Sequence, residues 1–541
     1  MSGLLSKVEQ PPRLEELPAS ARHMMSLVAF LCGGPTRGRY ALLTRLARYV
    51  VAAVFAAVCV RASGRLALRI LRSASASPLV PSLLRRRILA PLSATLSPPL
   101  ASAAAPLAAA SVFDALSGTS SSADTVDLVP GQPAYYAQLK RLLAHTPLPA
   151  CVVDLRAFDA NASRLLSIAR ENHKRIRIAT KSLRVPALIK RLKELGGDLI
   201  CGAMCYSAQE AKFLASTCEI SNLLVAYPTV LDADLAAAWE LLNQGHQITL
   251  MVDCVEHVKV LEKFAFRHQL GDEDEMCFRV AIDVDVAWRP LGGLVHIGAQ
   301  RSGVRSIRDF SRVLDAILSA KHLHFVGVMG YEAHIAGLPD QSPHSSWTNL
   351  AKQLLKRCSR SGVTAFREEI HSYLQQKNIP VEFFNGGGTG SIRTTVIEPW
   401  ITEVAVGSGF LQSQLFDYYQ SNSSVPAITF ALQATRKPQH NVVVCQSGGF
   451  AVASGAMHPD KLPTICSPSH LHYTCMEGIG EVQTPLEGPD ADSIHLGDPI
   501  FFRPAKAGEI AEHFLYYWIK DGDVLQKEPL PTYRGCGVAF Y

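Results

Sequence analysis

After Pro149 the chain settles into short apolar runs separated by stretches in which apolar residues recur every three or four positions between charged ones. The first pattern is that of a buried strand and the second that of an amphipathic helix, so their alternation predicts repeated βα units around a parallel sheet. Eight runs occur in order: Ile176–Thr180, Asp198–Gly202, Asn222–Tyr227, Ile248–Asp253, Phe278–Val284, Phe325–Tyr331, Val381–Asn385 and Glu403–Val406. Eight units predict an α/β fold of the TIM-type (β/α)8 barrel class. Val185–Leu195 and Ala208–Ala215 carry the helical spacing between them. Two connections are long, Trp288–Ser306 and Asp340–Lys377, and the second predicts an extended helix. From about Ile428 the texture turns β-rich, with Asn441–Cys445, Pro499–Arg503 and Phe514–Ile519 as strands among Gly, Pro and Asp turns. That is the pattern of an antiparallel β domain. The expected organisation is an extension over residues 1–130, a barrel over 131–425 and a C-terminal β domain over 426–541.

Charge changes the picture only at the N-terminus. Of the 541 residues, the first 130 hold 14 Lys and Arg against 6 Asp and Glu, and no acidic residue occurs between Leu17 and Phe113. Arg, Ala, Ser, Leu and Pro dominate there. This predicts a disordered or weakly helical segment, either an organelle transit segment or translated sequence upstream of the true start. Its most apolar window, Tyr49–Val60, is bracketed by Arg48 and Arg61 and falls short of the roughly 20 residues of a spanning helix. The body is nearly neutral, which gives no basis for nucleic-acid binding. Thirteen cysteines without framework spacing fit reduced thiols and an intracellular protein, cytoplasmic or mitochondrial according to the meaning of the N-terminus. The stretch His470-x-His472-x-x-Cys475 has zinc-ligand residue types, but Ser467 and Pro468 beside it favour a polar surface loop.

The candidate chemistry lies at the ends of the eight runs. Lys181 closes the first, where an amine held in a pocket can form a Schiff base. Asp253 ends the fourth, Asp283 and Asp285 the fifth, and Tyr331 and His334 follow the sixth. Asn385-Gly386-Gly387-Gly388-Thr389-Gly390-Ser391 follows the seventh and Gly407-Ser408-Gly409 the eighth. In such barrels chemistry gathers at the C-terminal strand ends and phosphate binds after strands seven and eight, because a Gly-rich turn offers bare N–H groups. A lysine and a phosphate cup on one rim suggest pyridoxal 5'-phosphate.

With these motifs the region from about Gln132 to Tyr541 resembles the fold type III pyridoxal-phosphate enzymes, the alanine racemase-like barrels. Within them it is similar to the D-threonine aldolase and D-serine dehydratase family, in the amino acid deaminase/aldolase branch. The matching stretches are Cys151–Leu155, Arg177–Lys181, Gly330–His334, Gly386–Ser391, Gly480–Leu486 and Gly497-Asp498. The resemblance implies that Lys181 carries the Schiff base and acts as acid and base at Cα. It implies that Gly387, Gly388, Thr389, Gly390 and Ser391 hold the phosphate, with Ser408 and Gly409 helping. Arg301 would face the pyridine nitrogen and keep it unprotonated, which tunes the ring as an electron sink; its alternative is an ion pair with Asp283 or Asp285. His334 would take the proton of a substrate hydroxyl or assist its departure as water. Tyr331 would stack or hydrogen-bond near the cofactor, and Tyr227 is a weaker candidate.

In many relatives a divalent metal is bound through a His-x-Cys or His-x-Asp pair beyond a Gly-Asp in the β domain. Here those positions hold Lys506 and Gly508, so no metal is expected. The expectation is that the Lys506 ammonium supplies the metal's charge, oriented by Glu509. The leading function is a pyridoxal-phosphate-dependent lyase acting on β-hydroxy D-amino acids, either an aldolase giving glycine and an aldehyde or a dehydratase giving a keto acid and ammonia. A racemase would need a second base, for which Tyr473 and Tyr533 are available outside any convincing motif. A non-catalytic pyridoxal-phosphate carrier is disfavoured by the C-terminal β domain, and a barrel without cofactor would leave the lysine and glycine motifs to coincidence. The resemblance also implies a homodimer.

Overall fold

The computed structural model describes residues 132–540 except 269–275, 291–295, 342–345, 421–423, 450–461 and 476. The expectations for residues 1–130 lie outside them. Strand β1 (Ala150–Asp154) stays outside the barrel. The next eight strands, β2 (Arg175–Ala179), β3 (Ile200–Cys205), β4 (Asn222–Val225), β5 (Gln247–Val252), β6 (Phe278–Asp283), β7 (Leu323–Gly330), β8 (Phe383–Gly386) and β9 (Glu403–Val406), close a parallel barrel in chain order. Each predicted run yields its strand. The second begins later than expected because Gly197–Leu199 form a 3-10 turn, with Gly197 at φ +49°, before β3 starts. The extended helix of the second long connection is Ser346–Gln376, 31 residues.

Alternation along the strands sorts residues between two cores. In β2, Ile176 and Ile178 join the main apolar core with the surrounding helices, among them Leu155–Glu171 and Pro186–Gly196. A smaller cluster of Leu224, Met251, Ala281, Val326, Met329 and Phe383 comes from successive barrel strands. Arg177 shares this interior side. Its Nε and NH2 meet both carboxylate oxygens of Glu403 on β9, at 2.6 and 2.8 Å, and NH1 donates to Asn222 Oδ1 at 2.8 Å. Asn385 Nδ2 donates to Glu403 Oε1 at 2.8 Å. Burial alone would raise the Glu403 carboxyl, but the guanidinium and these hydrogen bonds hold it below the usual range.

The C-terminal domain is built on β10 (Ile428–Gln439) and β11 (Val442–Gln446), extended by Gln483–Glu487 beside β11 and Pro499–Arg503 beside β10. All these pairings are antiparallel. The sheet also takes in β1, which the sequence reading placed with the barrel: it pairs antiparallel with β10 and parallel with Tyr516–Asp521. The chain therefore passes through the sheet before the barrel and leaves it through Asp154, whose carboxylate caps helix Leu155–Glu171 by accepting from Ala157 N at 3.1 Å. Helix Pro133–Leu142 covers the sheet with Tyr135 and Leu139 against Val152, Ala431 and Phe501. No helix among the described residues is long and apolar enough to cross a membrane.

The Arg177–Glu403 pair has 2 % and 0 % of its side chains exposed, so removing one partner strands a charge. Arg177→Met is expected to destabilise the protein by about 3–5 kcal/mol, read from urea unfolding, whereas pairing it with Glu403→Leu should recover much of that loss. Equal stability of Arg177→Met and wild type would contradict this account of the barrel interior.

Candidate active site

A cavity of about 730 Å³ opens where the barrel strands end. It is lined by Lys181 after β2, Tyr227 after β4, Asp253 and His257 after β5, Asp283 and Asp285 at β6, Tyr331 and His334 after β7, Gly387–Gly390 after β8 and Ser408 after β9. Arg301, from the long connection after β6, lines it too. Lys181 sits in a 3-10 turn, Thr180–Ser182, and its Nζ donates to Tyr227 Oη at 3.2 Å.

The glycine turn divides its labour. Gly387, at φ +77°, donates its N–H to Glu332 Oε2 at 3.1 Å, and Gly388 N donates to Ser391 Oγ at 3.1 Å. Gly409 N donates to Thr389 Oγ1 at 3.0 Å. The N–H groups of Thr389 and Gly390 have no acceptor among the described residues. These two are the donors open to an anion. Ser391 is buried and Gly409 holds Thr389, so both shape the turn from behind the cavity wall. Ser408 Oγ lines the cavity and donates to Ser182 Oγ at 2.9 Å, tying the last strand's turn to the lysine's.

Two residues that carry this turn had no assigned role in the sequence. Glu332, 2 % exposed, accepts from Gly387 N and, at 2.5 Å, from Thr395 Oγ1. Arg367, from helix Ser346–Gln376, pairs with Glu332 and at 2.7 Å with Glu398, and its Nε donates to Gly330 O at 3.1 Å. Burial would raise Glu332, yet Arg367 and the Thr395 and Ser391 hydroxyls hold it below the usual carboxylate range. Glu332 stands inside the quoted Gly330–His334 motif, but Arg367 lies in a helix rich in charges with nothing local to single it out.

Three other groups of the cavity, His334, Tyr331 and Asp283, are shifted toward neutrality. His334 is 9 % exposed and its Nε2 has no hydrogen-bond partner. Burial pushes its pKa down to about 4, so the imidazole is unprotonated at pH 7. Tyr331 is pushed up to about 12 by burial and the Glu332 charge. Asp283 rises to about 8 through burial and the neighbouring Asp253, against the pull of Arg301. Among the described residues Arg301 makes no ion pair within 4 Å, and Asp285 is taken by Arg289 and, at 3.3 Å, by Arg305. Asp253, Cys254 and His257 bring donor atoms within 4.8 Å of one another, with His257 Nδ1 already 3.0 Å from Asp253 Oδ1 at the start of helix Val255–His268.

Besides Ser391 and Gly409, Lys506 is a predicted site residue that does not line the cavity; its Nζ is 2.6 Å from Glu509 Oε1. Neither candidate racemase base lines it: Tyr533 donates to Glu210 Oε1 at 2.8 Å and Tyr473 to Pro463 O at 2.8 Å. His470 and His472 pair with Asp490 and Glu487 on the surface; His472 stands on a two-residue strand, His472–Tyr473, paired with Gln483–Glu487, where a loop was expected.

Residues 153–409, the chain from β1 through the turn after β9, match the alanine racemase, N-terminal domain family. The barrel is an alanine racemase N-terminal domain. With its β domain the barrel has the fold of the alanine racemase-like, fold type III enzymes. The chain is 24% identical to a D-threonine aldolase from an Arthrobacter species over 362 residues, 65% of this chain and 84% of that protein. The crystal structure of a D-threonine aldolase from Filomicrobium marinum superposes with a TM-score of 0.59 at 20% identity, covering 73% of this chain and 98% of that one. D-threo-3-hydroxyaspartate dehydratase from Delftia sp. HT23 gives 0.56 at 16% identity over 72% and 98%. The alanine racemase N-terminal domain here thus sits on a sheet partner shared in fold with aldolase and dehydratase structures.

Because Asp283 binds its proton more tightly in the folded state, its ionisation in the unfolded chain from about pH 4 upward lowers stability until about pH 8. Asp283→Asn is therefore expected to lose less stability than wild type between pH 5 and pH 8 in thermal melts. Identical losses would show that Asp283 ionises normally.

Proposed function

We propose that the chain is a pyridoxal-phosphate-dependent lyase acting on β-hydroxy D-amino acids, with Lys181 as the Schiff-base lysine. One observation carries the reading: an exposed lysine amine, two unpartnered N–H groups in a glycine turn and a neutral imidazole with an unpartnered nitrogen all line one cavity. That set fits the cofactor. Thr389 and Gly390 N–H and the Ser408 hydroxyl would hold its phosphate, Tyr331 its flank and Arg301 its ring nitrogen. When bound, the cofactor supplies an electron sink for negative charge developing at Cα.

The remaining chemistry belongs to this chain's side chains. Lys181 Nζ gives and takes the proton at Cα, with Tyr227 Oη 3.2 Å away to orient the amine. His334 Nε2, neutral at physiological pH, accepts the proton of the substrate β-hydroxyl and so drives Cα–Cβ cleavage to glycine and an aldehyde. In the dehydratase reading the proton that Lys181 takes from Cα goes to the departing hydroxyl, which the His334 imidazole positions, so that it leaves as water, and the products after hydrolysis are a keto acid and ammonia. Arg301 keeps its charge without a close carboxylate, and a permanent cation beside the ring nitrogen disfavours a proton there.

Full-length protein supplied with pyridoxal phosphate and either D-threonine or D-serine tests this by product analysis. Glycine with acetaldehyde identifies the aldolase, and ammonia with a keto acid identifies the dehydratase. Lys181→Ala is expected to lose at least about a thousandfold in kcat, and His334→Ala about a hundredfold or more. With a pKa near 4, His334 stays unprotonated over this range, so kcat/KM should show no histidine limb between pH 8 and pH 6. Absence of turnover of either amino acid by the loaded wild-type protein would sink the proposal.

A further inference from the structure

The turn that presents Lys181 is covered from the sheet side by the segment following strand Pro499–Arg503. Gln414 N donates to Pro504 O at 3.1 Å and Leu415 N to Ala505 O at 3.3 Å, which pins this segment to the barrel. A Cβ placed on Gly508 would stand 1.9 Å from the carbonyl oxygen of Lys181 and 3.0 Å from Ser182 Cα. Real atoms do not approach so closely, so the bare Gly508 backbone lies directly on the Lys181 turn and no side chain fits at 508. The same segment reaches the turn a second way. Arg184 Nε donates to the Lys181 carbonyl at 2.9 Å, and the Arg184 guanidinium pairs with Glu512. Tyr533 N then donates to Arg184 O at 2.9 Å.

Positions 506 and 508 are those at which the family resemblance implies metal ligands. The donor set does not fit a metal: Lys506 is a cation bound to Glu509 at 2.6 Å, and Gly508 has neither a side chain nor room for one. We propose that the segment Pro504–Glu512 is a backbone splint for Lys181 in place of a metal-holding loop, with Gly508 as the positioning residue that lets it seat. The proposal rests on the reading of Lys181 as the reactive amine. It gives the sheet domain a task at the site: it fixes the backbone from which the amine extends, so that only side-chain rotation remains to be ordered.

Hydrogen–deuterium exchange on the full chain without cofactor reads the turn directly. Gly508→Ala is expected to speed exchange in the peptide spanning Thr180–Arg184 by about tenfold or more, with the β6 peptide unchanged. Wild-type exchange in that peptide overturns the splint. If Gly508→Ala does not fold, Glu512→Gln loosens Arg184 from the same segment and should raise the same peptide's exchange, and no rise rejects the proposal equally. The double substitution Lys506→His with Gly508→Asp writes a ligand pair into the loop. It is expected to bind no stoichiometric zinc, and one zinc per chain with the Thr180–Arg184 peptide still protected would refute the splint. Borohydride reduction of the wild-type protein with pyridoxal phosphate reports separately on Lys181: a missing pyridoxyl label there rejects the proposed function, while the exchange data still decide the splint.

Discussion

An unpaired carboxylate cannot remain ionised in the dry interior of a barrel, and the bidentate contact of Glu403 with Arg177 is what allows this one to close. The two residues stand on β9 and β2, the last and first barrel strands, so the charge pair spans the seam. Asn222, Asn385 and Cys201 occupy the remaining bonding positions of the pair. At their other ends the same strands deliver Lys181 and Ser408 to the rim, where the Ser408 and Ser182 hydroxyls meet at 2.9 Å. Closure of the barrel and the spacing between the Lys181 turn and the Ser408 turn are thus set by one pair of strands.

Around the rim, buried carboxyls meet different partners and take different states. Glu332 has a guanidinium and several hydrogen-bond donors, stays charged, and uses that charge to order Gly387 and Thr395. A negative group behind an anion-binding turn would repel its ligand, and Arg367 offsets it. Asp283 has Asp253 for a neighbour, and burial with that charge outweighs the pull of Arg301, so it holds its proton. Asp285 is paired with Arg289 and Arg305. The outcome is a cavity whose exposed charges are chiefly the cations Lys181 and Arg301 opposite a neutral imidazole, an arrangement suited to a phosphorylated, carboxylate-bearing guest.

The sheet domain is more than an appendage to the barrel. It contains β1 from ahead of the barrel and β10 from behind it, paired side by side, so the two ends of the barrel segment are clamped in one sheet. From there the chain returns to the rim through Gly508, Glu512 and Tyr533, all of which reach the residues flanking Lys181 or the helix beside it.

Strand order, barrel class and most rim residues were legible because they are local properties. Hydrophobic period marks each strand, and Lys181, Asp253, Asp283, His334 and the Gly386–Ser391 turn each follow directly on a marked run. What the sequence by itself determined was therefore the eight-unit barrel, the β-rich C-terminal domain and which side chains stand at the strand ends. Tertiary structure alone decided that β1 leaves the barrel for the sheet, that Arg367 stands behind the glycine turn, that Lys506 stands outside the cavity lining, and that Asp283 keeps a proton. Each of these depends on a neighbour distant in sequence or on exclusion of water, and both come into being only when the barrel closes and the sheet folds back upon it.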